Sequence, residues 1–251
     1  MRILLVNDDG ISAPGLKVLE RIAVSLAQEV YILAPEEEQS ASSHSLTLHS
    51  PLRLRKLSAK KFAINGTPTD CIYIALHKIM KKNRPDLVLS GVNFGSNVGY
   101  DVTYSGTIAA AIEATLFGVP AMALSQTVNN PKDIYWQTAE EWGAKVIKSI
   151  LAGDWKADTL ININFPACKP SEVRGMKATS QGEQKMAGSL EERVDPRGRL
   201  YYWIGRDTSV DKSNSRNSDL AVLRRNYVSV TPLQLNLTHK ASLRSLSKVL
   251  S

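Results

Sequence analysis

The chain has 251 residues, of which 43 % are hydrophobic, and this is enough apolar material for one or two domains with a buried core. The composition excludes disordered and fibrous proteins, and the two cysteines, Cys71 and Cys168, lie 97 positions apart and so give neither a disulfide framework nor a paired metal-ligand spacing. The formal net charge is +7, and no run of about 18 apolar residues predicts a membrane helix or a signal peptide, so we expect a cytoplasmic protein with no membrane partner.

The first 34 residues predict a strand, a helix and a second strand. The aliphatic run 3–6 ends at the turn residues 7–10, which is typical of a strand buried on both faces. Apolar residues at helical spacing follow Pro14, and residues 30–34 have the composition of the next strand. This order favours a parallel sheet, because a helix between two strands is the usual crossover connection.

The alternation continues to residue 164. Thr67, Pro68 and Asp70 combine a capping hydroxyl, a proline and an acid at a helix start, which predicts a helix to about Lys82. Further strands are predicted at 87–90, 121–125 and 160–164, and further helices at 108–116 and 133–151. We therefore predict an α/β fold, with a doubly wound, mostly parallel Rossmann-like sheet forming a catalytic domain over residues 1–168.

The last third of the chain has a different pattern. Polar, glycine-containing loops separate strand-like runs at 173–179, 201–204 and 227–231, and residues 243–250 predict a short terminal helix. We expect residues 169–251 to form a C-terminal extension rich in β-hairpins or an oligomerisation arm that is exchanged between subunits. Periodicity alone does not choose between these two.

Polar side chains cluster in the loops that follow the predicted strands. Ligands of open α/β sheets bind beyond the carboxyl ends of the strands, so these loops are expected to meet at one edge. The polar side chains there are Asp8, Asp9, Ser40, His44, Asn93, Asn97, Ser105 and Thr107. His44 receives no role, because a lone histidine in a serine-rich loop is more often a surface hydrogen-bonding group.

Asp8 and Asp9 are adjacent carboxylates, which repel each other unless a cation or a donor compensates them. Carboxylate, hydroxyl and amide oxygens are hard ligands, so this set favours Mg²⁺, Mn²⁺ or Ca²⁺ over a structural Zn²⁺. The alternative is a solvated Asn-Asp-Asp-Gly turn, and for Ser40 a surface loop with turn serines. The local sequence is compatible with either interpretation.

Ser105, Gly106 and Thr107 open an alanine-rich helix, and a helix N-terminus is an anion-binding site. The alternative is an ordinary N-cap by Ser105. Neither a G-x-G-x-x-G turn nor a G-x-x-x-x-G-K-[ST] loop is present, which argues against dinucleotide and P-loop binding. A cation beside a helix N-terminus suits attack of an activated water on a phosphate ester, so we predict phosphomonoester hydrolysis.

Taken in order, the motifs of the chain resemble those of the SurE survival-protein nucleotidases. The motifs are Asn7-Asp8-Asp9-Gly10, Gln39-Ser40, Gly66-Thr67-Pro68-Thr69-Asp70-Cys71, Ser90-Gly91-Val92-Asn93-Phe94-Gly95-Ser96-Asn97, Tyr104-Ser105-Gly106-Thr107, Asn162-Ile163-Asn164-Phe165-Pro166 and Tyr227-Val228-Ser229-Val230-Thr231-Pro232-Leu233. The family pattern often has glycine after the loop serine, where this chain has Ala41.

The resemblance implies a metal-dependent 5′- and 3′-nucleotidase that acts on nucleoside monophosphates as a cytoplasmic homodimer or homotetramer. One divalent cation per subunit, Mg²⁺ or Mn²⁺, with Ca²⁺ possible in crystals, would be held by Asp8, Asp9, Ser40 and Asn93. The phosphate would be approached by the remaining predicted site residues, which are Asn97, Ser105, Gly106 and Thr107. Asp8 and Asp9 are the expected catalytic residues, and either could orient the attacking water.

Two other functions compete with this interpretation. A receiver-like signalling domain also holds Mg²⁺ with paired acids, but it needs an aspartate at the end of the third buried strand, where this chain has Ser90 and Gly91. The second alternative is nucleic-acid binding, since 15 basic and 8 acidic residues lie in 169–251. Its support is weak, because these basic residues are scattered rather than clustered. The base preference, the 5′ or 3′ position, the physiological metal and any exopolyphosphatase activity stay open.

Overall fold

The computed structural model describes residues 1–155, 158–183, 187–206 and 215–250. The strands are β1 (Arg2–Val6), β2 (Glu29–Pro35), β3 (Leu54–Lys56), β4 (Lys61–Ile64), β5 (Leu87–Phe94), β6 (Ala121–Gln126), β7 (Thr159–Phe165), β8 (Met176–Ala178), β9 (Ala187–Val194), β10 (Leu200–Arg206) and β11 (Val228–Gln234). The α-helices are α1 (Pro14–Val24), α2 (Pro68–Ile74), α3 (Gly106–Leu116), α4 (Trp136–Leu151), α5 (Asp219–Leu223) and α6 (Lys240–Leu250).

Within the described residues, nine strands form one sheet in the order β3-β4-β2-β1-β5-β6-β7-β11-β8. The strands from β4 to β7 pair in parallel, whereas β3 is antiparallel to β4 and β11 is antiparallel to β7. Helices cover both faces of the parallel part, which confirms the predicted α/β class with a mostly parallel sheet.

The apolar core lies in two layers, one on each face of the sheet. Ile3 and Leu5 of β1 pack with α1 and α4, and Leu4 and Val6 pack with α2 and α3. These four side chains are at most 1 % exposed, because successive residues of a strand point to opposite faces and both faces are covered. The uninterrupted aliphatic run is the sequence signature of this double burial.

The predicted cap of α2 is confirmed as a reciprocal pair. The Asp70 N–H donates to Thr67 Oγ1 at 3.1 Å, and the Thr67 N–H donates to Asp70 Oδ2 at 2.9 Å. The helix does not reach Lys82, because α2 passes into a π-helical turn at Ala75–Ile79 and the chain then leaves the helical path. Strands β3, β4 and β9 are findings that the pattern of the sequence did not predict.

Strand β5 is longer than predicted and is irregular beyond Ser90. Its pairing with β6 shifts register between Ser90 and Asn93, which turns the following residues toward the edge of the sheet. Gly91 has φ +128°, and a Cβ on it would lie 2.2 Å from the Leu124 carbonyl oxygen, so only glycine fits there. This irregular segment brings Asn93 to the carboxyl edge.

The residues after 168 contribute to two structures. Strands β8 and β11 extend the main sheet, and β9 and β10 form a separate antiparallel hairpin. A hairpin in the C-terminal region therefore agrees with the prediction, while the domain boundary at residue 168 and the exchange of an arm stay predictions. In the part of the chain that the structure describes, no helix has the length and apolar character needed to cross a bilayer.

Candidate active site at the carboxyl edge of the sheet

A cleft of about 700 Å³ lies at the carboxyl ends of β1, β5 and β6. Five of the eight predicted site residues line it, namely Asp8, Ser40, Asn93, Asn97 and Ser105. Asp9, Gly106 and Thr107 lie against these residues rather than in the cleft wall. The strand-end loops therefore meet at one edge, as the parallel topology requires.

Asp8 lies two residues after the end of β1 and is held against the N-terminus of α3. Its Oδ1 accepts a hydrogen bond from Thr107 Oγ1 at 2.5 Å, and its Oδ2 accepts one from the Thr107 N–H at 3.1 Å. The residue is only 4 % exposed, so the first turn of α3 provides the polar contacts that a buried carboxylate needs. Thr107 thus holds Asp8 in place, and its approach to the phosphate, which the family resemblance implies, stays a prediction.

Asp9 is anchored to β5, which neighbours β1 in the sheet. Its Oδ2 accepts a hydrogen bond from the Phe94 N–H at 3.1 Å. Burial, reinforced by the charge of Asp8, raises the pKa of Asp9 to about 7. Burial also raises the pKa of Asp8, against the opposing hydrogen bonds from Thr107. The site thus concentrates two carboxylates in a region that disfavours their negative charge.

The raised pKa of Asp9 predicts that the metal-free protein loses stability as the pH rises. An unfolded aspartate titrates near 3.8, so between about pH 4 and about pH 7 the unfolded chain has released a proton that the folded chain retains. Stability from this residue is therefore highest below pH 4, falls through that window and is level above it. Urea denaturation of the metal-free protein at about pH 5 and about pH 8 measures the effect, and the fall should be smaller in Asp9→Asn.

The Asn93 side chain lies next to the Asp8 carboxylate through a shared hydroxyl. Thr107 Oγ1 is 3.2 Å from Asn93 Oδ1 and 2.5 Å from Asp8 Oδ1, and Asn93 Nδ2 donates to the Gly95 carbonyl at 2.8 Å. The second hydrogen bond orients the amide so that its oxygen faces Thr107. The Asn93 oxygen and the Asp8 carboxylate therefore lie on the same side of the cleft.

Ser40 approaches from the loop after β2. The Gln39 N–H donates to the Asp8 carbonyl at 2.7 Å, which fixes the start of this loop beside the acid pair. Ser40 Oγ donates to Glu38 Oε1 at 2.5 Å. Ala41 has φ +58°, the left-handed conformation that glycine favours, and the family pattern often has glycine at this position.

Asn97 is held by a buried network on β7 and β6. Its N–H donates to Asn164 Oδ1 at 2.8 Å, and its carbonyl accepts from Asn162 Nδ2 at 2.8 Å and from Asn164 Nδ2 at 3.0 Å. Its side-chain amide donates to Ser125 Oγ at 2.9 Å. The loop at the cleft is therefore fixed by Ser125 and by Asn162 and Asn164, the two asparagines that sequence analysis noted only as part of a family motif.

Replacing Asn164 with alanine is expected to destabilise the protein by about 2–3 kcal/mol, because the buried Asn97 N–H loses its acceptor and water cannot readily replace it. Denaturant unfolding of both proteins measures the difference. Asn83→Ala changes an exposed asparagine and is the matched control, for which we expect almost no change. Equal unfolding midpoints for Asn164→Ala and the wild type would contradict the assignment.

The far wall of the cleft comes from the C-terminal third, which sequence analysis did not assign to the site. It includes Leu220, Leu223, Arg224 and Asn226. Asp219 at the start of α5 is fully buried and accepts hydrogen bonds from the Gly99 N–H at 2.9 Å and the Gly182 N–H at 3.0 Å. These hydrogen bonds fix the C-terminal segment beside the cleft. In the sequence, only the excess of basic residues after residue 168 indicated that a positively charged side chain such as Arg224 could lie there.

The side-chain atoms near the acid pair that could ligate a metal are oxygens rather than nitrogen or sulfur. Among the described residues, no group of three or more His, Cys, Asp or Glu side chains could hold a metal. Asp8, Asn93 and Ser40 line the cleft and Asp9 is the next residue after Asp8, so the set available to a metal consists of carboxylate, amide and hydroxyl oxygens instead. Such a set suits a hard divalent cation.

The family model "Survival protein SurE" matches residues 3–188. The chain belongs to the SurE family. All eight predicted site residues of this SurE family member lie within the matched segment.

Similar proteins cover almost the whole chain of this SurE family member. The 5′-nucleotidase SurE of Paramagnetospirillum magneticum is 49 % identical over 98 % of this chain and 94 % of its own length. The 5′-nucleotidase SurE of Caulobacter vibrioides NA1000 is 46 % identical over 100 % of this chain and 96 % of its own length. The crystal structure of the SurE protein from Aquifex aeolicus superposes with a TM-score of 0.87 at 34 % identity and covers 100 % of both chains.

Proposed function

We propose that this chain is a 5′-nucleotidase, a phosphoric monoester hydrolase that releases phosphate from nucleoside monophosphates. The observation that carries the proposal is the buried acid pair, with Asp8 held by the first turn of α3 and Asp9 by the irregular end of β5. Two buried carboxylates of like charge destabilise the fold, so we interpret the pair as serving the reaction rather than the stability of the protein. The names of the curated relatives support the same reaction.

The residues present fit one divalent cation per subunit, Mg²⁺ or Mn²⁺. Burial raises the pKa of Asp8 and of Asp9 because it disfavours their negative charge, and a bound cation would compensate that charge and stabilise both carboxylates. Asp8, Asp9, Ser40 and Asn93 would hold the ion. Such a cation supplies neutralisation of the phosphoryl oxygens and activation of water.

The protein contacts suggest different tasks for the two acids. Both oxygens of Asp8 accept hydrogen bonds from Thr107, whereas Asp9 accepts one at Oδ2 and, among the described residues, none at Oδ1. Asp8 is thus rigidly placed, and Asp9 has an oxygen left to orient the attacking water. We assign this water-orienting role to Asp9.

The phosphate would lie at the N-terminus of α3, beside Asn97 and Ser105, where the helix favours negative charge. Ser105 Oγ accepts a hydrogen bond from the Ile108 N–H at 3.1 Å and so fixes the direction of the first turn. The nucleoside would extend toward Phe94 and Tyr104, which also line the cleft and are 43 % and 48 % exposed. Aromatic rings at this position offer a surface for a base.

We further propose that the chain acts in the cytoplasm as a homodimer or homotetramer and has no nucleic-acid partner. Support for self-association comes from apolar side chains left open on β10 and α6, where Ile204 is 78 % exposed and Leu250 is 83 % exposed. Cys71 and Cys168 are unpaired, as expected in a reducing compartment. Light scattering on the purified protein would measure the assembly, and a monomer would contradict this part of the proposal.

The test is phosphate release by the purified chain from p-nitrophenyl phosphate, 5′-AMP, 3′-AMP and polyphosphate, with added Mn²⁺ or Mg²⁺ and with EDTA. We expect release from 5′-AMP in the presence of either ion and its loss with EDTA. Release from 3′-AMP and polyphosphate would widen the substrate range. No release from any monophosphate would overturn the hydrolase assignment, and release that EDTA leaves unchanged would overturn the cation.

A further inference from the structure

The loop after β2 carries Ser40 and is held against α3 by a side-chain pair that the reaction itself does not use. His44 Nε2 lies 2.7 Å from Glu113 Oε2, a hydrogen bond between residues 69 positions apart. The Glu113 side chain is 9 % exposed, whereas that of His44 is 34 % exposed. A loop residue at the surface therefore covers an acid that lies almost buried on the helix.

Glu113 lies in an environment that does not favour a carboxylate. It is close to the C-terminal end of α3, where the helix dipole opposes negative charge, and its neighbours on the helix include Ala110 and Ala114, which are fully buried. A buried acid at such a position destabilises the fold unless it is paired, and an apolar residue there would be better tolerated. The hydrogen bond from His44 supplies the partner that this buried acid needs.

The rest of the loop is fixed at points on either side of Ser40. On one side, the Gln39 N–H donates to the Asp8 carbonyl at 2.7 Å. On the other, the Ser43 N–H donates to the Tyr104 carbonyl at 3.1 Å and Ser43 Oγ donates to the Thr103 carbonyl at 2.8 Å. Ser43 has φ +54°, a backbone conformation that costs energy unless neighbouring contacts enforce it.

We infer that His44 and Glu113 form a latch that orders residues 39–44 against α3 and so positions Ser40 beside Asp8 and Asp9. The latch is a pair of positioning residues, since neither side chain lines the cleft. The link to cation affinity rests on the proposed function, whereas the ordering of the loop does not. Opening the latch is expected to weaken cation binding by about tenfold, the effect typical of residues that orient metal ligands.

The experiment compares the wild type with His44→Ala, His44→Gln and the double variant His44→Ala/Glu113→Ala. Three quantities are measured, namely amide hydrogen exchange in residues 39–44, the Kd of Mn²⁺ by isothermal titration calorimetry, and Tm. His44→Gln keeps an N–H donor at similar reach and should resemble the wild type. His49→Ala changes an exposed histidine five residues after His44 and is the matched control.

His44→Ala should exchange faster in residues 39–44, bind Mn²⁺ about tenfold more weakly and melt at a lower temperature, because the Glu113 carboxylate is left buried without its partner. The double variant removes that carboxylate, so its Tm should recover toward the wild type while exchange stays fast and Mn²⁺ binding stays weak. This separation distinguishes positioning from stabilisation alone.

Recovery of Mn²⁺ affinity together with Tm in the double variant, or unchanged exchange in His44→Ala, would overturn the latch. A wild-type protein that binds no Mn²⁺ and hydrolyses no monophosphate would instead overturn the proposed function. The exchange comparison would still decide whether the pair orders the loop.

Discussion

Asp9→Asn is expected to lower kcat/KM for 5′-AMP in the presence of Mn²⁺ by about a thousandfold, which corresponds to the loss of a preorganised electrostatic contact at the reaction centre. Asparagine keeps the size of the side chain and its acceptor for the Phe94 N–H, a hydrogen bond of 3.1 Å in the wild type. It removes the negative charge and replaces one carboxylate oxygen with an amide. The fold should therefore persist while cation binding and the orientation of water are lost.

The same substitution should raise the stability of the metal-free protein at about pH 8, because it removes a charge that burial and Asp8 disfavour. Opposite effects on activity and stability are the signature of a residue retained for function. Asp133→Asn, which changes an exposed acid, is the control and should leave both quantities unchanged. If Asp9→Asn retained a tenth or more of the wild-type kcat/KM, the catalytic assignment of Asp9 would be wrong.

Gly106→Ala is expected to reduce kcat/KM by about a hundredfold. This is the loss expected when a side chain of the active site is displaced by up to about 1 Å. A Cβ at this position would lie 2.9 Å from Asp8 Cβ, 3.0 Å from Asp8 Oδ2 and 3.0 Å from Ser42 Oγ. These distances are shorter than normal carbon contacts, so the Asp8 side chain must move. Its hydrogen bonds to Thr107 would then lengthen.

Steady-state kinetics with 5′-AMP measures this effect, and circular dichroism confirms that the fold is retained. Gly153→Ala is the matched control, because the nearest atom to its added Cβ is the Ile150 carbonyl oxygen at 3.5 Å, an ordinary contact distance. Normal activity in Gly106→Ala would mean that the position of Asp8 is not critical, and the proposed arrangement of the site would fail.

The architecture could be predicted from the sequence because its strands are buried on both faces. The run 3–6 is aliphatic throughout, and each buried strand of this kind is followed by turn residues and then by helical periodicity. Short strands escaped prediction: β3 has three residues, all exposed, and its apolar pattern is too weak to detect. The irregular end of β5 was also missed, since it depends on the close approach of Gly91 to β6.

The candidate site was predictable as a set of residues but not as a set of contacts. Loops at the carboxyl ends of parallel strands must meet, so Asp8, Ser40 and Asn93 were expected together. The pairing of Asp8 with Thr107, 99 residues away, depends on how α3 is rotated about its axis, which no local pattern encodes. The wall around Arg224 depends on the return of the chain after residue 168 to the sheet through β11.

The sequence by itself determined the α/β alternation, the mostly parallel sheet, the oxygen-rich side chains of the strand-end loops and the family, because all of these follow from residue type and order along the chain. Only the tertiary structure decided which hydrogen bonds form between distant residues. Thr107 donates to Asp8, asparagines of β7 hold Asn97, and His44 pairs with Glu113. The physical reason is that hydrogen bonds form over about 3 Å, and residues distant in sequence reach that separation only when strand register and helix packing are both set.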